Sequence, residues 1–446
     1  MNSTPPLSTE PIEFQFPATT VSHLSDGTAV HVIQNTNKDL VTVQLYMNVG
    51  SAHDVVRGAH AFAAQLMVNG AGDMSSEEFN LAVESLGCSI NSSCDRTVTT
   101  VTGMGMADNF DPMVALMGDV VLRPRFDQSE IDTLRGRWIN EMQIDHRDVD
   151  WLANQACNRV TYGEHPGRHP VRGSITQMRS LTRADIIDAH QRAIRSPRTI
   201  IVAGPLSPSE IVQHLESTLA GLPEASFNSI LPRAHVVERT ACIAPCPDTM
   251  QTAFRITMPG LPYDHPDYPA LELTSHVLGG YSLARLFGIL REEKGYTYGA
   301  YAATAVRQYS CTNDILTDVG NDHTADTVAT IVEVLQQFSS ELIDIDELEN
   351  ARQNLIGIFA QYMETPQQAA SFLWKIIRDG LPSDYFSKLV HRIQMYQPED
   401  LLSVQQRWYN VKRWAIGASG DPDIIVPAIR DHVDRYEIWD PITESA

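Results

Sequence analysis

One pattern of hydrophobic and polar positions runs along the chain twice. Thr42–Val49 (TVQLYMNV) alternates apolar and polar side chains, as a strand with one covered face does, and stops at Gly50. An apolar stretch of helical character comes next and closes at Gly70. Further along, Phe254–Met258 leads to Gly260, and a second apolar helical stretch, ALELTSHVLGG, closes at Gly279-Gly280. Gly50 to Gly70 and Gly260 to Gly280 are both 20 residues apart, at an offset of 210.

Two further landmarks keep the same order. FDQSEIDTLRGRWI, with Glu130 and Arg135, can be laid on DIDELENARQNLI, with Glu347 and Arg352, at an offset of 217. RADIIDAHQR followed by the strand-like TIIVAG matches PEDLLSVQQR followed by RWAIGA, pairing Gln191-Arg192 with Gln406-Arg407 at an offset of 215. Three landmarks in one order at a nearly constant offset predict a duplicated fold. Within each unit the order is strands, helix, strands, long helices and a closing strand. That order predicts an α+β class, each unit a mostly antiparallel sheet packed with helices. Ala220–Arg239, with Pro223, Pro232 and no periodicity, reads as the connection. The expected division is therefore 1–222, a linker over 223–240, and 241–446.

Composition narrows the function classes. With 446 residues, 43% hydrophobic and 20% charged, the chain can build large cores and is not dominated by disorder. No apolar run approaches the roughly 18 residues that cross a bilayer, so no membrane partner is expected. The opening MNSTPPLSTEPIEFQF lacks a basic region followed by an apolar one, which places the protein in the cytoplasm, or in the periplasm or outside if a signal has been removed. The net charge of -22, from 55 acidic against 33 basic residues, argues against a phosphate-tracking surface, so nucleic acid is not an expected partner. Cys88, Cys94, Cys157, Cys242, Cys246 and Cys311 form no CxxC pair. Cys242 and Cys246 flank Pro245 without a second pair to complete a metal site, and all six read as free thiols.

Five stretches in order carry a resemblance: VGSAHDVVRGAHAFAAQLMVNGAG, ESLGCSINSS, DVVLRPRF, YGEHPGRHPVRGS with SLTRADI, and LGGYSLARLFGILREEKGYTYGAYA. Together they span about Phe16 to Asp434 and resemble the pitrilysin/insulinase family of zinc metallopeptidases. In that family the first helix carries His-x-x-Glu-His, two imidazoles for zinc and a Glu that activates water. Setting Gly58 and Gly70 on the glycines flanking the motif places Ala61, Ala64 and Gln65 at those three positions. A catalytic zinc needs three protein ligands and an open position, so the resemblance implies no metal in this chain and no catalysis by it alone. His60 falls one residue early, about 100° round the helix from a shared ligand face, and reads as a surface or core-edge histidine. Glu141, separated from Gln65 by 75 residues, stands where the family's third ligand falls, but a lone helical carboxylate is more often solvated or paired. His165 and His169 have i, i+4 spacing, yet Pro166 and Gly167 break the helix that would align them.

The second half retains more. Arg291 and Tyr298 lie seven residues apart across the turn at Gly295, and the family pairs Arg and Tyr at this spacing. There Arg offers a forked donor to a peptide carbonyl or carboxylate, and the Tyr hydroxyl donates to the oxyanion formed at the scissile carbon. The plainer reading pairs Arg291 with Glu292 or Glu293 and makes Tyr298 an ordinary strand aromatic. Tyr296, of the same strand parity, is the fallback for Tyr298. Gly279-Gly280 with Tyr281-Ser282 lacks the frame of a phosphate loop. It is also short, unlike the extended glycine-rich loop of the non-catalytic subunit of the mitochondrial processing peptidase, which argues against a presequence-receptor role.

The resemblance thus implies half of a clamshell chamber: a non-catalytic subunit whose Arg291 and Tyr298 complete, in trans, the site of a homologous partner that carries zinc and hydrolyses peptides. Two alternatives stand beside it. One is a purely structural scaffold subunit, like the core proteins of the respiratory cytochrome complex. The other is a stand-alone peptide-binding module that captures chains along an edge strand such as CSINSSCDRTVTTV.

Overall fold

The computed structural model describes residues 14–35, 39–227 and 230–441. Residues 1–13, most of the stretch from which the cellular location was read, lie outside them, as do Asn228 and Ser229 of the connection. Two six-stranded sheets form the framework. The first contains β1 (Thr19–His23), β2 (Ala29–Gln34), β3 (Leu40–Met47), β4 (Ser89–Cys94), β5 (Thr99–Met106) and β6 (Arg198–Gly204), in the order β1-β2-β6-β3-β5-β4. The second contains β7 (Thr240–Pro245), β8 (Gln251–Pro259), β9 (Thr297–Val306), β10 (Cys311–Gly320), β11 (Ala415–Gly420) and β12 (Arg435–Ile438), in the order β12-β7-β11-β8-β10-β9. Antiparallel pairings dominate both. The halves differ at one margin, where β1 runs antiparallel to β2 and β12 runs parallel to β7.

The duplication read from the sequence is present element by element. TIIVAG and RWAIGA supply β6 and β11, which hold equivalent places. Gly50 and Gly260 follow the equivalent strands β3 and β8. A Cβ there would stand 2.4 Å from the Asp95 carbonyl oxygen or 2.6 Å from the Thr312 carbonyl carbon, so the hairpin backbone closes against both. The matched arginines share a task. Arg135 donates to the Leu181 carbonyl at 2.8 Å, one residue before the helix cap Thr182. Arg352 donates to the Tyr396 carbonyl at 2.5 Å, one residue before the cap Gln397. Each fastens the entrance of the helix that precedes the closing strand of its half.

The alternation expected in Thr42–Val49 does not leave one face wet. Thr42, Gln44 and Tyr46, the polar-side set of β3, are all buried. What covers them is the helix Pro366–Arg378 of the other half, which packs on β3 and β6. Gln44 donates to the Ser371 hydroxyl at 3.1 Å, and the Tyr46 ring stacks on Trp374 at 4.1 Å and 6°. The exchange is reciprocal. Among the first-half helices α1 (Ala59–Met67), α2 (Ser76–Ser85), α3 (Phe110–Leu122), α4 (Gln128–Asp145) and α5 (Val149–Tyr162), it is α5 that lies across β7, β8 and β11 of the second sheet. Leu152, Ala156 and Val160 meet Cys242, Ala244 and Ala415 there. The polar positions of β8 are satisfied by α5 as well: Arg255 reaches Asn154 and pairs with Asp150, and the Thr257 hydroxyl meets the Cys157 thiol at 3.3 Å.

Candidate functional site

α1 presents Ala61, 6% exposed, and Ala64, 1% exposed, with Gln65 half-buried on the same helix. Its apolar residues pack inward, Phe62 meeting the Trp138 ring of α4 edge-on at 5.1 Å. Asp54 fastens the start of the helix, accepting from the amides of Gly58 at 2.7 Å and His60 at 3.0 Å and from His60 Nδ1 at 2.6 Å. Acceptors at a helix N-terminus satisfy amides that have no intrahelical partner. His60 is therefore a buried member of an Asp–His pair, not a surface histidine, because the acidic side chain six residues earlier draws it inward. Ser92 of β4 donates to the Ala64 carbonyl, which ties the helix to the outer strand of the sheet.

Glu141 meets a guanidinium. Arg172 lies over the Trp138 ring at 5.7 Å, binds Glu141 at 2.7 Å and also pairs with Asp145. Arg137 adds a longer pair to Glu141 at 3.8 Å. Among the described residues no group of three His, Cys, Asp or Glu side chains could hold a metal ion. His165 and His169 go separate ways: His165 stacks on Tyr309 at 4.7 Å and accepts from the Gly167 amide at 2.9 Å, while His169 meets Arg57 at 3.0 Å. Gly279 stands where a Cβ would come within 2.3 Å of the Ala302 amide, so the glycine pair serves the close approach of the helix Tyr268–Gly279 to β9.

Arg291 and Tyr298 are brought together. Arg291 sits in a turn of π-helix, Gly288–Glu293, a rare widened geometry that often accompanies function. The pairing of β10 with β9 slips here, Thr317 facing Ala300 and Val319 facing Thr297, so β9 carries an extra residue at Tyr298-Gly299. A bulge of this kind re-aims a side chain, and Tyr298 is 86% exposed. The Arg291 guanidinium lies 5.0 Å from the Tyr298 ring centre and 4.7 Å from that of Phe287. Rings on a guanidinium hold it by its faces and leave its N–H edge free. Its carboxylate contact, Glu292, is loose at 3.6 Å. Tyr296 is not equivalent to Tyr298: it precedes β9, so strand parity does not apply, and its ring stacks on His323 at 4.1 Å.

The expected edge strand is resolved into parts. Ser89–Cys94 is β4, the outer strand beside α1, whereas Thr99–Val101 belongs to the interior strand β5. Sequence reasoning missed Arg172, Phe287 and the bulge. Arg172 lies 31 residues from Glu141, beyond any local spacing rule, but Asp54 ahead of a helix was a capping signal open to reading.

Two duplicated α+β units, one bearing a peptidase-type first helix and the other an exposed Arg/Tyr pair, define a peptidase-like chain. Residues 29–171 match the family model described as insulinase (peptidase family M16), and residues 180–355 match that of the peptidase M16 inactive domain. The chain belongs to the insulinase (M16) peptidase family. It is 21% identical over 352 residues to an uncharacterised zinc protease of Bacillus subtilis, 78% of this chain and 85% of that one. It is 24% identical to the mitochondrial-processing peptidase subunit beta of Saccharomyces cerevisiae, over 61% of each chain. It is also 22% identical to subunit 1 of the cytochrome b-c1 complex of Bos taurus, over 67% of this chain and 61% of that one. In fold it superposes on a peptidase M16 inactive domain from Pseudomonas fluorescens with a TM-score of 0.84 at 20% identity, covering 90% of this chain and 98% of that one.

Proposed function

We propose that this chain is a non-catalytic subunit of a peptidase, and that Arg291 and Tyr298 act in trans on a peptide held against a homologous partner that carries the zinc. The observation that carries this reading is the exposed pair itself. Tyr298 is turned outward by the β9 bulge, Arg291 is held between Phe287 and Tyr298, and neither is needed to bury the core. The guanidinium would hold a substrate carbonyl, and the phenol would donate to the oxyanion as it forms. α1, with Ala61 and Gln65 at the two histidine positions, Ala64 at the glutamate position and Arg172 on Glu141, leaves the metal and the water activation to the partner. The subunit is inactive by itself.

The test is to purify the chain alone and again with the homologous zinc-bearing subunit it captures, measuring bound zinc and peptide hydrolysis each time. Activity and zinc should appear only in the complex, and Arg291→Ala or Tyr298→Phe should each lower its turnover about a hundredfold to a thousandfold. Stoichiometric zinc with hydrolysis by the isolated chain would overturn the reading. A second reading, a scaffold subunit, draws on the similarity to subunit 1 of the cytochrome b-c1 complex, a member of a multi-subunit assembly. It predicts that both substitutions leave turnover unchanged.

A further inference from the structure

A cavity of about 350 Å³ opens where the connection between the halves, the β9–β10 turn and the loop after the helix Pro366–Arg378 meet. That volume is within the range of small-molecule sites. Arg233, Arg307 and Arg378 all line it, a local reversal of sign in a chain of net charge -22. The three are not equally free. Arg378 is spent on Asp379, through Nε at 3.1 Å and Nη2 at 2.6 Å. Arg307 donates to the Thr312 hydroxyl at 3.1 Å, but its carboxylate contact, Asp314, is loose at 3.8 Å. Burial pushes the Asp314 carboxyl above its ordinary value, which further weakens that counter-charge. Arg233, on the exposed connection, has no hydrogen bond or ion pair among the described residues.

The lining holds a third donor. Ser310, 7% exposed, lines the cavity, and its hydroxyl is buried without a partner. A buried hydroxyl left unpaired costs free energy that a bound acceptor would recover. Asp264 is the remaining carboxylate of the lining, and Val306, Leu381 and the Tyr263 ring add apolar wall. We propose that this cavity binds a small organic oxyanion, its carboxylate or phosphate head held by Arg307, Arg233 and the Ser310 hydroxyl and its apolar body set against Val306, Leu381 and Tyr263. The site is independent of Arg291 and Tyr298, so it stands or falls apart from the subunit reading.

Titration calorimetry of the full chain with hexanoate, inorganic phosphate and hexanamide tests it. Hexanoate should bind, with an affinity that falls as salt is raised, and hexanamide should not. Arg233→Gln removes an exposed side chain, and Arg307→Lys keeps the charge beside Asp314 while losing the fork. Each should weaken hexanoate about tenfold. Phosphate bound more tightly than hexanoate would overturn the apolar half of the proposal. No heat from any probe, equal binding of the amide, or hexanoate binding untouched by both variants would overturn the site.

Discussion

α1 and its second-half counterpart Tyr268–Gly279 occupy matching places behind two sheets of the same strand order, yet their surroundings differ. In the first half the helix is closed in: Asp54 binds its start, Ser92 its Ala64 carbonyl, and Arg172 takes Glu141 on the neighbouring helix. In the second half the chain approaches β9 through a π-turn and enters it with a bulge, so Arg291 and Tyr298 face outward. The two halves of a duplicated fold thus differ in which polar groups they leave unspent. A face whose helix-start amides, Ala64 carbonyl and Glu141 carboxylate are already engaged offers little to a ligand, whereas a bulged edge leaves a phenol and a guanidinium edge unspent.

If the halves were separate, a substitution at their seam would disturb only one of them. Trp374→Ala removes the ring stacked on Tyr46 and should cost about 3–5 kcal/mol of stability, and Leu152→Ala, in the reciprocal helix, about 2–5 kcal/mol. Urea unfolding followed by fluorescence and circular dichroism should show one transition moved to lower denaturant in both variants. Two transitions, with one unmoved, would mean that each half stands alone. Next in size is the loss of about 2.7–4 kcal/mol of transition-state stabilisation in Arg291→Ala or Tyr298→Phe, read as turnover of the complex. The same variants should keep their stability to within about 0.5 kcal/mol, since surface positions usually do.

A smaller effect compares buried histidines of the two halves. His190 donates to the Val121 carbonyl at 2.9 Å, His276 meets the Asn354 side-chain oxygen at 2.9 Å, and burial lowers the pKa of both. The unfolded chain, with ordinary histidines near pH 6.5, therefore takes up protons first as the pH falls. The stability these groups contribute is present above about pH 6.5 and is lost as the pH drops below it. Melting temperatures measured from pH 7.5 to 5 should decline, and His190→Gln and His276→Gln should each make the decline shallower. An unchanged slope in both would show that these imidazoles are not held neutral.

The smallest expected effect is a failure to regain metal. Ala61→His, Ala64→Glu and Gln65→His together should take up well under one zinc per chain by atomic absorption. Ala61 and Ala64 are almost fully buried, with little room for larger side chains, and Arg172 competes for Glu141. Adding Arg172→Ala should raise the uptake. A full equivalent of zinc without that change would mean that the three motif positions alone separate this helix from a working one.

Much of this was legible in the chain itself. The repeated glycines, the paired Glu130/Arg135 and Glu347/Arg352 and the closing strands announced two like units, because residues that shape local backbone or fasten a neighbouring helix leave a spacing behind them. The residues at the zinc positions and the seven-residue step from Arg291 to Tyr298 were equally plain, being local facts. Periodicity failed at β3, where Thr42, Gln44 and Tyr46 read as a wet face and are covered by a helix more than 300 residues away in sequence. It failed again at Tyr298, whose direction depends on a slip in its pairing with β10.

What each unit contains is written locally along the chain: its elements and their order, the absence of ligands on one helix and the presence of an Arg/Tyr pair beyond the other. What covers what was settled by packing. α5 and Pro366–Arg378 cross to the opposite sheets, Arg172 reaches Glu141, and the bulge turns Tyr298 to solvent. The physical reason is that a side-chain pattern records how a segment divides its own faces, whereas the surface that meets each face is chosen by packing between segments far apart along the chain.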